Sequence, residues 1–339
     1  MTTKLSVLTT VVAMSLFSGI AQAQVMSFTD ITKLPGTGGP MGNGLTGGHG
    51  AMFADIGADG QPDLHITMIW SKPMPNLFFR NLDGRKFTNE GVKRGLVGNA
   101  DGGVHGFCFA DLDNDGDYDA VRGLTYAIGN TRKPGRNQIK RNDGTGKFTD
   151  ITDAAGIPPS RKEWTRGVIT FDMDGDGDLD IFCVSGAWGS KRDRPGERNE
   201  VYRNEGKMKF TPITAGAMVT CPAGQGATDT DLDGDGDIDV IAANRTGPVN
   251  ILINDGAGNF TPGPAVPVAG INDPRGIAFA DIDGDGDVDF ALGVKRSRNF
   301  LIRNNFNSGN WLIVKLISPK GQAGAFGAQG ANLSRQKER

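Results

Sequence analysis

The chain has 339 residues, room for two ordinary domains or one large repetitive one. Glycine supplies 51 of them, about twice the average share of ~7 % and without a collagen period, so these glycines mark turns. Charged residues make up 22 % and apolar ones 37 %, which excludes both a disordered polyelectrolyte and a multi-span membrane protein, and the net charge of −3 excludes a basic nucleic-acid footprint. Cys108, Cys183 and Cys221 are too few for a disulfide framework. They read as buried thiols, with a Cys108–Cys183 or Cys183–Cys221 bridge as the alternatives.

Residues 1–23 have one lysine in a short leading segment, an apolar stretch from Leu5 to Ile20 and a final Ala21-Gln22-Ala23. This is the pattern of a secretory signal cut before Gln24. The apolar stretch is short, carries Ser and Thr, and is followed by no basic stop-transfer cluster, which disfavours a membrane anchor. The expectation is an exported chain, periplasmic or secreted, with no membrane span after signal removal.

From there on one nine-residue pattern, D-x-D-x-D-G-x-x-D, organises the sequence. It occurs in full from Asp111, Asp172, Asp231 and Asp281, and in degraded form from Asp55, where Gly57 holds position 3 and Pro62 position 8. A short segment of strand character precedes each loop (GVHGFCFA, RGIAFA) and another follows it (DLHITMIW, DVIAAN, DFALGV). Next come strands led by asparagine, at Asn76, Asn137, Asn199, Asn250 and Asn299, then a glycine turn and a last strand such as KFTDIT from Lys147. Four short strands per repeat, without helical periodicity, predict an all-β propeller of four-stranded antiparallel blades with five calcium-loop repeats. Ser27–Thr32 copies the end of a blade with no blade before it. It is expected to complete blade five and close the ring; an open array or a truncated larger ring is the alternative.

Carboxylates at positions 1, 3, 5 and 9 of one tight loop repel unless a hard cation lies among them, and calcium takes six to eight oxygens. An EF-hand would need Glu at position 12, where Ile66, Arg122, Cys183, Ala242 and Leu292 stand instead. The predicted ligands are Asp55, Asp59 and Asp63; Asp111, Asp113, Asp115 and Asp119; Asp172, Asp174, Asp176 and Asp180; Asp231, Asp233, Asp235 and Asp239; and Asp281, Asp283, Asp285 and Asp289. That is four to five Ca2+ ions, the first loop being the doubtful one.

These residues resemble the FG-GAP or VCBS repeats of integrin-type propellers over residues 24–309. Asn310–Leu316, at the start of the final segment 310–339, resembles the opening of the ASPIC/UnbV module of the cartilage acidic protein family, cut short. The resemblance implies an extracellular, calcium-binding, adhesive or ligand-binding protein and no specific reaction.

Six residues before each loop stands His49, His105, Arg166, Gln225 or Arg275, each followed by glycine. By analogy with known propellers the strand carrying them is the innermost, so they would ring the channel on the face away from the calcium loops. Trp70, Tyr126 and Trp188 fall near the ends of second strands, beside loops holding Arg132, Arg136, Lys191 and Lys295 among other basic residues. Aromatics beside cations suit sugars and anions. The chain is expected to be a non-catalytic binding or adhesion module for an acidic glycan or extracellular protein. A calcium-dependent lyase-like enzyme and a pure scaffold are the alternatives, and neither G-x-S-x-G nor H-E-x-x-H is present.

Overall fold

The computed structural model describes residues 48–68, 76–97, 103–125, 135–159, 164–186, 198–221, 224–244, 247, 249–266, 268–271, 273–295 and 297–306. The signal segment, Ser27–Thr32 and the segment after residue 306 lie outside the described residues, as do Trp70, Tyr126 and Trp188.

Each repeat folds as one antiparallel sheet in sequence order. The first comprises Gly48–Ala54 (β1), Asp63–Met68 (β2), Leu77–Asn81 (β3) and Phe87–Asn89 (β4). The second comprises Val104–Ala110 (β5), Asp119–Leu124 (β6), Gln138–Asn142 (β7) and Phe148–Asp150 (β8). The third comprises Thr165–Phe171 (β9), Asp180–Ser185 (β10), Glu200–Asn204 (β11) and Phe210–Ile213 (β12), followed by a single helical turn, Ala217–Thr220 (α1). The fourth comprises Gly224–Thr230 (β13), Asp239–Asn244 (β14), Asn250–Asn254 (β15) and Phe260–Pro262 (β16). The fifth has three strands among the described residues: Pro274–Ala280 (β17), Asp289–Val294 (β18) and Phe300–Ile302 (β19). First strands pack against first strands, β5 on β9, β9 on β13 and β13 on β17, so they form the hub of a five-bladed β-propeller.

The core lies between blades. Ile56, Phe78, Phe107 and Phe109 join blades one and two; Leu112, Val121, Ile139, Ile181 and Tyr202 join two and three. Met173, Phe182, Val201, Val240 and Leu252 join three and four, and Leu232, Ile241, Phe290 and Leu292 join four and five. The second strands β6, β10 and β14 are buried along their whole length because a neighbouring blade covers each face. That explains their near-continuous apolar sequence. His65 shares this environment: it stacks on Phe107 with ring centroids 4.0 Å apart, and burial pushes its pKa down to about 3. It is a neutral core residue. The cysteines are all unpaired with one another, as the thiol reading expected.

Two of the glycines that follow the predicted ring residues, Gly106 and Gly167, have a packing reason. A Cβ on Gly106 would stand 2.8 Å from the carbonyl carbon of Gly167, and one on Gly167 would stand 2.9 Å from the Cα of Gly226. Hub strands approach backbone to backbone at these points.

One register differs from the sequence reading. The asparagine ending each third strand, or standing just past it in blade five, is Asn81, Asn142, Asn204, Asn254 or Asn304, and each backbone N–H donates to the ninth Asp of its own loop at 2.7–2.8 Å. Counting back from Asn254, the leading position of the fourth repeat is Val249 and not Asn250. Elsewhere that leading residue, Asn76, Asn137, Asn199 or Asn299, accepts a second-strand N–H through its side-chain oxygen. Blade four does without this bond, and Val249 joins the apolar core instead.

The ending asparagines also tie blades together. Asn142 Nδ2 donates to Tyr118 O and reaches back to Ile56 O in the preceding blade; Asn204 likewise holds Leu179 O and Leu112 O, Asn254 holds Ile238 O and Met173 O, and Asn304 reaches Leu232 O. Asn204→Ala leaves two buried carbonyls without their donor and is expected to cost about 2–4 kcal/mol. A urea titration checks this against Asn305→Ala at an exposed position, expected to stay within about 0.5 kcal/mol of the parent.

Candidate functional site

The loops between first and second strands share one internal scaffold. The carboxylate at position 1 accepts the N–H of the glycine at position 6 at 2.8–3.1 Å in all five. The carboxylate at position 5 accepts the N–H of position 7 at 2.9–3.2 Å. The position-6 glycines have φ between 82° and 100°, where side chains with a Cβ are strained. The loop shape is thus encoded by D-x-x-x-D-G itself.

Within this frame carboxylate oxygens converge four times, to within 4.8 Å of one another: Asp111, Asp113 and Asp115; Asp172, Asp174 and Asp180; Asp231, Asp233 and Asp239; and Asp281, Asp283 and Asp285. Oxygens on opposite sides of a calcium ion, each at ~2.3–2.6 Å from it, lie about 5 Å apart, so this spread suits one ion per loop. Asp113 Oδ1, Asp117 Oδ1 and Asp174 Oδ1 are buried and accept no hydrogen bond, as oxygens intended for a cation would be. The all-oxygen donor set also suits a hard cation. Loop one differs. Gly57 removes the position-3 carboxylate, no cluster forms there, and Asp59 is held at 2.8 Å by Arg80.

The ninth aspartates do more than the ligand role predicted for them. Asp119 and Asp180 each accept two backbone N–H bonds, from position 2 of the loop and from the asparagine ending the third strand; Asp239 and Asp289 repeat the pattern. They are buried at 0–1 % exposure. Desolvation outweighs those hydrogen bonds and raises Asp119 and Asp180 to about 7 and Asp63 to about 6. Asp117 is also raised to about 6, by burial and by Asp115 and Asp113 beside it.

The predicted ring residues share a feature the sequence did not disclose. In every blade the ladder between first and second strands skips one residue: His49 between Gly48↔Met68 and Gly50↔Thr67, His105 between Val104↔Leu124 and Gly106↔Gly123, Arg166 between Thr165↔Ser185 and Gly167↔Val184. Gln225 and Arg275 are skipped in the same way. All five are bulge residues, and bulges re-aim side chains.

Their surroundings differ from a plain solvent-lined ring. Arg166 is buried, with Nε donating to Gly186 O at 2.9 Å. Arg275 donates to Gln225 Oε1 at 2.8 Å and pairs with Asp273 at 2.8 Å, and Gln225 Nε2 is buried without a partner. His105 is half-buried. Of the basic loop residues, Arg136 is tied to Asp153 and to the carbonyls of Pro158 and Ile157, so it braces the chain, while Lys295 is exposed and Arg298 lies over the Phe300 ring.

The FG-GAP-like repeat family matches residues 125–183 and 231–292, windows that contain the third, fourth and fifth loops. The chain is a five-bladed β-propeller, and these two stretches of it match FG-GAP-like repeats. Such propellers are typically non-catalytic binding modules, are typical of extracellular or exported proteins, and often bind calcium. No curated protein matches the sequence. Among solved structures the chain is similar to the one described as "Crystal structure of BBS1N in complex with ARL6DN, soaked with lead", at 6 % identity and a TM-score of 0.38 over 76 % of this chain and 80 % of that one. No helix among the described residues is long and apolar enough to cross a membrane.

The raised aspartates fix the sign of a pH effect. Their ordinary unfolded value is ~3.9, so in the metal-free protein they favour the fold below about pH 4 and lose that contribution as pH climbs through 6 to 7. In chelator the melting temperature is expected to be higher at pH 5 than at pH 7.5. Saturating calcium, which favours the ionised loops, should flatten or reverse the trend in the same melts.

Proposed function

We propose that the protein is an exported, calcium-stabilised binding propeller that holds an acidic ligand, a uronate-rich or sulfated glycan or an acidic protein patch, at the bulged ends of its hub strands. The observation that carries this reading is the five-fold recurrence of the bulge. It repeats at His49, His105, Arg166, Gln225 and Arg275 although those residues differ in type. A purely structural irregularity would need no polar or basic residue in all five blades. Trp70, Tyr126 and Trp188, which follow β2, β6 and β10 in the sequence, are proposed to belong to the same face.

In this reading the loop carboxylates hold calcium, with four ions as the expected content, and the metal supplies cross-linking rather than chemistry. Asp111, Asp172, Asp231 and Asp281 open the four sites, and the carboxylates at positions 3, 5 and 9 complete them. The leader over residues 1–23 supports export, and calcium is abundant outside the cytoplasm.

Two measurements test the proposal. Each ion bound only by the native state stabilises it by ~2.7 kcal/mol at a hundredfold excess over Kd, so chelation is expected to lower the melting temperature by many degrees; an unchanged melt removes calcium from the account. A glycan-array screen of the calcium-loaded chain beside Arg275→Ala is expected to show acidic glycans bound by the parent and weakened at least about tenfold in the variant, a loss of ~1.4 kcal/mol. Equal binding by both proteins would place the ligand elsewhere.

A further inference from the structure

The residue just before each ending asparagine is Arg80, Arg141, Arg203, Ile253 or Arg303. These five positions are equivalent, yet they treat the loops differently. Arg80 Nη2 lies 2.8 Å from Asp59 in loop one. In loop two Arg141 Nη2 lies 2.8 Å from Asp113 and 3.3 Å from Asp115. In loop five Arg303 Nε lies 2.7 Å from Asp283, with Nη2 3.9 Å from Asp285. Arg203 instead gives Nε and Nη2 to Glu205 Oε1 at 2.9 and 2.8 Å. Blade four has Ile253 and no charge at all.

A second observation sorts the loops the same way. Where the arginine contacts the loop, in two and five, the converging oxygens belong to positions 1, 3 and 5; where it does not, in three and four, they belong to positions 1, 3 and 9. The arginine gathers the position-3 and position-5 carboxylates about itself. The residue after the ending asparagine decides whether it can. Glu205 captures Arg203, whereas Leu82 and Asn305 carry no charge, and Asp143 is already taken by Thr145 and Lys147 N–H groups and the Thr145 hydroxyl.

We propose that this third-strand position is a built-in competitor for the metal, ordering the loops by calcium affinity: loops three and four fill first, loops two and five fill after their arginine is displaced, and in loop one Arg80 takes the metal's place outright. The proposal rests on the calcium reading of the loops. Calcium entering loop two or five must break a guanidinium–carboxylate contact and then tolerate the displaced cation nearby. Loop four requires neither, and loop three has no such contact to break, only Arg203, held by Glu205, near Asp174.

The test is a calcium titration of the full chain by calorimetry, with Arg141→Gln and Glu205→Gln beside the parent. The side chains concerned are 51 % and 42 % exposed, and chelator melts confirm that each variant folds. The parent is expected to bind four ions in two classes of two. Arg141→Gln should move one site into the tight class, by up to about fivefold, the scale of one exposed ion pair. Glu205→Gln, which releases Arg203 onto loop three, should move one site into the weak class. Four equivalent sites unaffected by either substitution would overturn the ordering while leaving calcium binding intact. A parent that binds no calcium would overturn the calcium reading and the ordering with it.

Discussion

The structure depends on a buried carboxylate with no buried cation to match it. The ninth aspartate of each full repeat lies under its loop and spends its oxygens on two backbone N–H groups, one from the loop and one from the end of the third strand. The asparagine supplying the second N–H reaches across to the loop of the preceding blade. One interaction thereby sets the loop, the third strand and the spacing between blades. Its cost is visible in the raised pKa values of Asp119 and Asp180. Desolvating a carboxylate favours its neutral form, and the two N–H donors and any nearby positive charge favour the ionised one.

That requirement explains why positive charge is found at the loops in more than one form. A guanidinium one residue before the asparagine reaches the loop of its own blade because successive side chains of a strand point to opposite faces. The asparagine turns inward under the loop while its neighbour turns out over the acids. The same sites suit a divalent ion, which brings twice the charge and can be ligated by all converging oxygens at once. In the proposed reading arginine and metal are two answers to one electrostatic problem, and the repeats combine them differently.

Much of this was legible in the residues. Five spaced D-x-D-x-D-G motifs, or their remnant, predict the loops; the asparagine-rich third strands predict blade periodicity; and the absence of helical pattern predicts an all-β fold in which α1 is one turn. The misplaced Asn250 has a clear cause: Val-Asn-Ile-Leu-Ile-Asn offers two asparagines four apart, and only the hydrogen bonds of Asn254 show which one is the structural repeat. Loop one, singled out in the sequence by Gly57 at position 3, forms no cluster because that glycine removes a ligand. The bulges at the ring residues were invisible because a bulge is a property of the pairing between two strands. Likewise the burial of Arg166 depends on its neighbouring blades, which no local pattern reports.

The two ends proposed to hold ligand and calcium are separated by the hub strand itself. Arg275 and Asp281 are six residues apart on β17 and the loop that follows, and a strand rises ~3.3 Å per residue, so the bulge and the first loop ligand lie about 20 Å apart. A ligand at the proposed bulge face would not touch a metal held by the loops. Any influence of calcium on that face must pass through the stiffness of seven-residue strands that are packed on their neighbours at Gly106, Gly167 and Gly226. Those close backbone approaches leave little room for one hub strand to shift without the next. Fixing the loops at one end therefore limits how far the bulged residues at the other end can spread, which lowers the ordering cost of binding without adding a contact.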